Sequence, residues 1–221
     1  MGAGASLPSN EQIEGASADS LQNALEGHSK VALDKLRLAL AAHDAAHPSW
    51  TVYLDLQCKY SKKCFDNLLD IREKHDGKFD ISIALTALPI HFNSMIALCG
   101  AHAVKQKAGD EGLAKYIEVC FANQEKFSND ATLDMTRAQV IDVFAELAAG
   151  AFEWDFKAAI ADKMKNDWPG SIMPAFGNIK SASSAGVFGT PKHVIKGSLV
   201  DKTESDWTGD QWAEKLKELG L

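Results

Sequence analysis

Cysteine is scarce in this 221-residue sequence. Its four copies, at 58, 64, 99 and 120, have no metal-ligand spacing, so a zinc site is not expected. No apolar run is long enough to cross a bilayer. Basic clusters are missing as well, and a net charge of −7 argues against nucleic acid as a partner. The N-terminus shows no charged-then-apolar leader pattern, and Glu11 and Glu14 disfavour an organelle transit peptide. Together these absences point to a cytoplasmic protein, in a compartment where disulfides are usually transient. Internal repeats, a Walker phosphate loop and a serine-hydrolase elbow are also missing. What remains is an ordinary globular hydrophobic fraction of 46%. The length suits one domain with an elaborated core, or a domain plus an insertion.

Residues 186 to 200, GVFGTPKHVIKGSLV, carry the first specific signal. A small-residue turn leads to Thr190 and Pro191. An apolar strand through Val194 and Ile195 follows, then a turn at Lys196 to Ser198 and a return strand from Leu199. Proline at the head of a strand has no N–H, and a cis bond before it would turn the Thr190 backbone outward.

A thiol stands upstream in a matching place. Residues 51 to 57 form a β-rich run, and Cys58, Lys59, Tyr60 and Ser61 open a helical pattern. A cysteine at a helix N-terminus faces unpaired N–H groups and the positive end of the dipole, which favour thiolate. Lys59, Lys62 and Lys63 add positive charge nearby. The face of Phe65, Leu68, Leu69 and Arg72 has the spacing to dock one helix on a sheet. The alternative is a buried, inert cysteine at a strand end. The strand headed by Thr190 and Pro191 favours the reactive site.

These segments resemble the thioredoxin-like superfamily, in its DsbA-type branch. Asp55 to Ser61 is similar to that family's strand and Cys-Pro-Tyr-Cys motif, and Gly186 to Val200 to its cis-proline hairpin. Leu88 to Asn93 resembles the segment that leaves the sheet for a helical insertion. The resemblance implies an α/β thioredoxin-like fold with an inserted helical domain over residues 49–221. The insertion would occupy about residues 90–168, with a tail and helical arm in residues 1–48. It also implies Cys58 and Ser61 as catalytic positions, and Lys59, Tyr60, Thr190 and Pro191 as substrate contacts.

One departure changes the chemistry. Serine 61 stands where the family has its second cysteine, and Lys59 replaces the usual proline. A dithiol attacks a disulfide through one sulfur and resolves the mixed disulfide with the other. Ser61 can hydrogen-bond a Cys58 thiolate but cannot resolve. Either an external thiol such as glutathione resolves, or another cysteine does, or the site is no longer a catalyst. Cys64 lies about 240° around the helix from Cys58 and about 9 Å along it, so it reads as core. The leading expectation is monothiol exchange on a peptide or thiol substrate, with glutathione as co-substrate and no bound cofactor. Kappa-class glutathione transferases, which also carry serine in this motif, make conjugation a variant of it. The rival is a non-catalytic binding or structural module within a protein complex.

The extreme N-terminus matches the pattern in which Gly2 is myristoylated, with Ser6 in place. One such chain gives only weak, reversible membrane contact. Leu33, Leu36 and Leu40 give the arm an apolar stripe that Pro48 ends. Residues 78 to 86 alternate like a half-buried strand. Helical stripes follow: Met95, Leu98, Cys99 and His102, then Leu113, Ile117, Cys120 and Phe121, then Val140, Phe144 and Leu147. Capping boxes stand at Thr136 with Gln139 and at Thr208 with Gln211, the latter opening a helix with Trp212, Leu216 and Leu219 inward. His91 stands where the insertion begins and could border the cleft.

Overall fold

The computed structural model describes residues 47–149, 151–165 and 171–221. Gly2, the leucine stripe of the arm and the expected end of the insertion near residue 168 lie outside them. Ser49–Leu221 form one compact unit.

The β-rich run gives β1 (Ser49–Leu54), in which Trp50, Val52, Tyr53 and Leu54 are all buried. Burial on both faces fits a central strand. The alternating segment gives β2 (Asp80–Leu85), parallel to β1. The hairpin gives β3 (Lys192–Ile195) and β4 (Ser198–Leu199), joined by a turn in which Lys196 and Gly197 both take positive φ. The sheet order is β2-β1-β3-β4, with β3 antiparallel to both its neighbours.

Between β1 and β2 run α1 (Lys59–Asp66) and α2 (Leu68–Lys74). The single helix expected here is therefore interrupted at Asn67. Its amide side chain donates to the Asp206 carbonyl, and Leu69 turns out to solvent instead of docking on the sheet. Between β2 and β3 come α3 (Ser94–Ala122), a 3-10 turn (Gln124–Phe127), α4 (Arg137–Ala149), α5 (Phe156–Lys163) and α6 (Met173–Ser184). Gly109, at φ 65° and ψ −160°, breaks α3 between its two apolar stripes. The last helix, α7 (Gly209–Glu218), opens with the Thr208–Gln211 capping box. Trp212 and Leu216 are buried, but Leu219 is the C-cap and lies exposed, contrary to its expected inward place.

Trp50 anchors the core under the sheet. Its ring lies 4.7 Å from that of Trp212 and 5.5 Å from that of Phe79, tying β1 to α7 and to the approach to β2. Aromatic pairs at such separations contribute about 0.5–1.5 kcal/mol beyond area burial. In the helical part, Phe127 and Phe144 pack at 4.7 Å, and Tyr116 donates from its hydroxyl to the Ala97 carbonyl. Gly100 permits that contact, because a Cβ there would fall 2.2 Å from the Tyr116 oxygen.

Candidate active site

Topology alone brings the two sequence signals together. The antiparallel register sets Tyr53 against Lys192, so the end of β1 lies beside the start of β3. Cys58 follows the first and Thr190–Pro191 precedes the second. The Thr190–Pro191 bond is cis. Across the gap Cys58 Sγ donates to the Thr190 carbonyl at 3.3 Å. Thr190 Oγ1 is buried there with no hydrogen-bond partner among the described residues.

Cys58 is the N-cap of α1, extended at φ −78° and ψ 118°. Its carbonyl accepts the first helical bond, from the Lys62 amide at 3.1 Å. No acidic residue stands in the first turn of α1, so no side-chain carboxylate in that turn competes for the positive end of the helix dipole. Cys58 is only 4% exposed, so a partner must displace covering residues to reach it. Lys59 and Tyr60 stand outside on the surface, the ammonium 5.1 Å from the ring centre. Phe188, 80% exposed, flanks the proline loop.

Ser61 takes a different place from the one expected. Fully buried, its hydroxyl accepts the Asp55 amide at 3.1 Å. It thereby ties the first turn of α1 to the end of β1 rather than turning to Cys58.

The sequence reading missed the polar system behind the thiol. Asp55 is fully buried, and each carboxylate oxygen accepts two bonds. One oxygen takes the Gln57 amide at 2.8 Å and the Ser94 hydroxyl; the other takes the Leu88 amide at 2.8 Å and His91 Nδ1 at 2.9 Å. Gln57 reaches onward, its Nε2 donating to Asn129 at 2.7 Å and its Oε1 accepting the Asn93 amide at 2.8 Å. Gln124 Nε2 donates to the carbonyls of Leu56 and Cys58, at 2.8 and 3.1 Å. One signal was available: a carboxylate between two strand leucines must be paired if it is buried. Apart from Gln57, the partners lie more than 30 positions away and left no local trace.

The remaining cysteines are core. Burial pushes the thiols of Cys64 and Cys120 up to about 12 and that of Cys99 up to about 11. Cys64 does lie 3.6 Å from His193 Nε2. Trp50 Nε1, which can only donate, reaches His193 Nδ1 at 2.9 Å. The ring proton of the neutral histidine is thus on Nε2, facing the sulfur, so His193 cannot take a proton from Cys64. Burial drives His193 down to about 3 and keeps it neutral. Among the described residues no three His, Cys, Asp or Glu side chains gather to hold a metal. A cleft of about 920 Å³ lies among α2, β2, α3 and α6, but it includes neither Cys58 nor Thr190.

No protein-family model matches the chain, and no curated protein matches it. Solved structures do. A candidate protein-disulfide isomerase from Pseudomonas syringae superposes with a TM-score of 0.64 at 20% identity, over 76% of this chain and 93% of that one. DsbA2 of Pseudomonas aeruginosa gives 0.56 at 16% identity, over 79% and 89%. The thiol-disulfide exchange protein alpha-DsbA2 of Wolbachia pipientis gives 0.53 at 18%, over 86% and 100%. The fold is the α/β thioredoxin-like core with an inserted helical subdomain, of the DsbA type.

These neighbours also correct the expected compartment. The cytoplasmic placement expected from the sequence does not stand against these neighbours, which include thiol-disulfide oxidoreductases and DsbA-type exchange proteins. That placement leaned on the lack of a bilayer-length apolar run and of a recognisable leader pattern, and neither absence fixes a compartment.

Proposed function

We propose that this protein is a thiol-disulfide exchange protein working through Cys58 alone. The observation that carries the reading is the 3.3 Å contact between Cys58 Sγ and the carbonyl before Pro191, which sets a helix-terminal thiol against an outward backbone edge. The fold shared with thiol-disulfide oxidoreductases supports it.

In the first step the Cys58 thiolate attacks one sulfur of a disulfide. A Cys58–sulfur bond forms, the sulfur–sulfur bond breaks, and the leaving thiolate takes a proton from solvent. Thr190, Pro191, Lys59 and Tyr60 border the path by which a peptide would enter. In the second step an external thiolate, with glutathione the proposed source, attacks the mixed disulfide and releases Cys58. Ser61 ties the first turn of α1 to the residue after β1 by accepting the Asp55 amide, and its hydroxyl keeps its own proton to donate to a Cys58 thiolate. A binding module that holds chains without turnover is the second reading, favoured by the 4% exposure of Cys58.

Incubation with oxidised glutathione separates the two. The exchange reading expects the intact mass to rise by one glutathionyl group, reduced glutathione to reverse it, and Cys58→Ser to abolish it. A folded wild type that takes up no glutathionyl group and turns over no disulfide leaves the binding module.

A further inference from the structure

The loop from β1 to α1 is held residue by residue from the segments that follow β2. Asp55 is bound by Leu88, His91 and Ser94, and the Gln57 side chain by Asn93 and Asn129. Of these ties, the one that falls on Cys58 itself comes from Gln124. Its amide nitrogen has two hydrogens and two acceptors, Leu56 O at 2.8 Å and Cys58 O at 3.1 Å. The Leu56 bond fixes the backbone before the reactive residue, and the Cys58 bond fixes the peptide plane that starts α1. Gln124 opens the 3-10 turn directly after α3 and shares no secondary-structure element with Cys58.

We propose that Gln124 is the positioning residue through which the helical subdomain sets the reactivity of Cys58. The proposal rests on Cys58 being the working thiol. Its physical content is the aim of Sγ. At an N-cap, the side chain meets the first amides of the helix only while the backbone keeps its extended turn. Two charge-free hydrogen bonds from one planar amide fix that turn without adding a charge beside the sulfur. Removing them frees the Cys58 carbonyl to tilt towards solvent, held then by the Lys62 amide bond. Sγ, which makes no direct bond to the first amides of α1, would then leave its place at the positive end of the helix, and the thiolate stabilisation supplied by that field would fall.

The test is the pH profile of Cys58 alkylation by iodoacetamide in the folded full-length protein, followed by peptide mass mapping. Gln124→Met keeps length and loses both donors; its profile should move to higher pH by at least half a unit. Gln124→Asn, too short to span both carbonyls, should move it the same way, and serves where the methionine variant does not fold. Gln124→Lys, which restores an N–H donor at similar reach, should return the profile to the wild-type position or below it. A profile unmoved in the folded Met or Asn variant overturns the proposal, and so does one displaced upward equally in Gln124→Lys. Because the probe is an alkylating agent and not a disulfide, failure of the exchange reading with glutathione leaves this comparison intact.

Discussion

Cys58 Sγ and the Thr190 carbonyl meet at 3.3 Å although 132 positions separate the two residues. The contact exists because β1 and β3 are antiparallel neighbours, with the thiol just past the end of one and the proline turn just before the other. Each residue is ordinary alone. Together they give a thiol with a hydrogen-bond acceptor on one side and a helix N-terminus on the other.

The four thiols should therefore react in a fixed order. Burial pushes Cys64, Cys99 and Cys120 to about 12, 11 and 12, which leaves almost no thiolate at neutral pH. Cys58, at the helix N-terminus, should be alkylated first by a small reagent in the native protein. Peptide mapping after brief treatment at pH 7 measures this. Equal labelling of all four in folded protein would remove the basis for a working Cys58.

Ser61→Cys should turn the monothiol into a dithiol. Positions 58 and 61 are the cap and third residue of α1, three apart and on one side of the helix. Activity in an insulin-type disulfide-reduction assay should appear or rise at least tenfold. Stability should drop by about 1 kcal/mol, because the Asp55 amide exchanges an oxygen acceptor for a sulfur. A folded but inert variant would argue that the cleft does not open to disulfides at all.

The acidic centre behind the loop should be intolerant of change. Asp55→Asn keeps the shape but presents N–H groups to donors, so part of a four-donor site is left unsatisfied. A loss of about 2–4 kcal/mol is expected from denaturant melts. Cys58 labelling should slow as well, since the Asp55 carbonyl accepts the Cys58 amide at 3.0 Å. Wild-type stability in Asp55→Asn would mean that the site tolerates the exchanged polarity.

How much of this was legible depended on sequence range. The strand–cysteine–helix step, the proline hairpin and the two capping boxes are local patterns, and each stands where the sequence put it. The break at Asn67 was not legible. The apolar spacing runs through it, and the bond that the Asn67 side chain makes there goes to residue 206, far outside local range. The bond that Ser61 accepts from the Asp55 amide, just past the end of β1, was not legible in the motif either. Gln57, Gln124 and Asn129 carry no signal as single polar residues. They become informative only when the fold sets them on one loop.

The histidine under the sheet gives a pH prediction that does not depend on catalysis. His193 is neutral in the folded state because burial lowers it from an ordinary 6.5 to about 3, with Lys192 adding a smaller push. An unfolded chain protonates the same ring near 6.5. The folded state thus binds fewer protons between those values, so this contribution is complete above pH 6.5 and is lost as pH falls towards 3. His75 and His102 are lowered by burial too and act in the same direction. Between pH 7 and 4.5 the His193 contribution should fall by about 2.5 kcal/mol. His193→Gln keeps an oxygen acceptor for Trp50 Nε1 and removes the titration. It should be less stable than wild type at pH 7, yet lose about 2.5 kcal/mol less on acidification, as read from urea melts at the two pH values. Equal acid losses in the two proteins would mean that water reaches the ring and that His193 titrates near its ordinary value in the folded state.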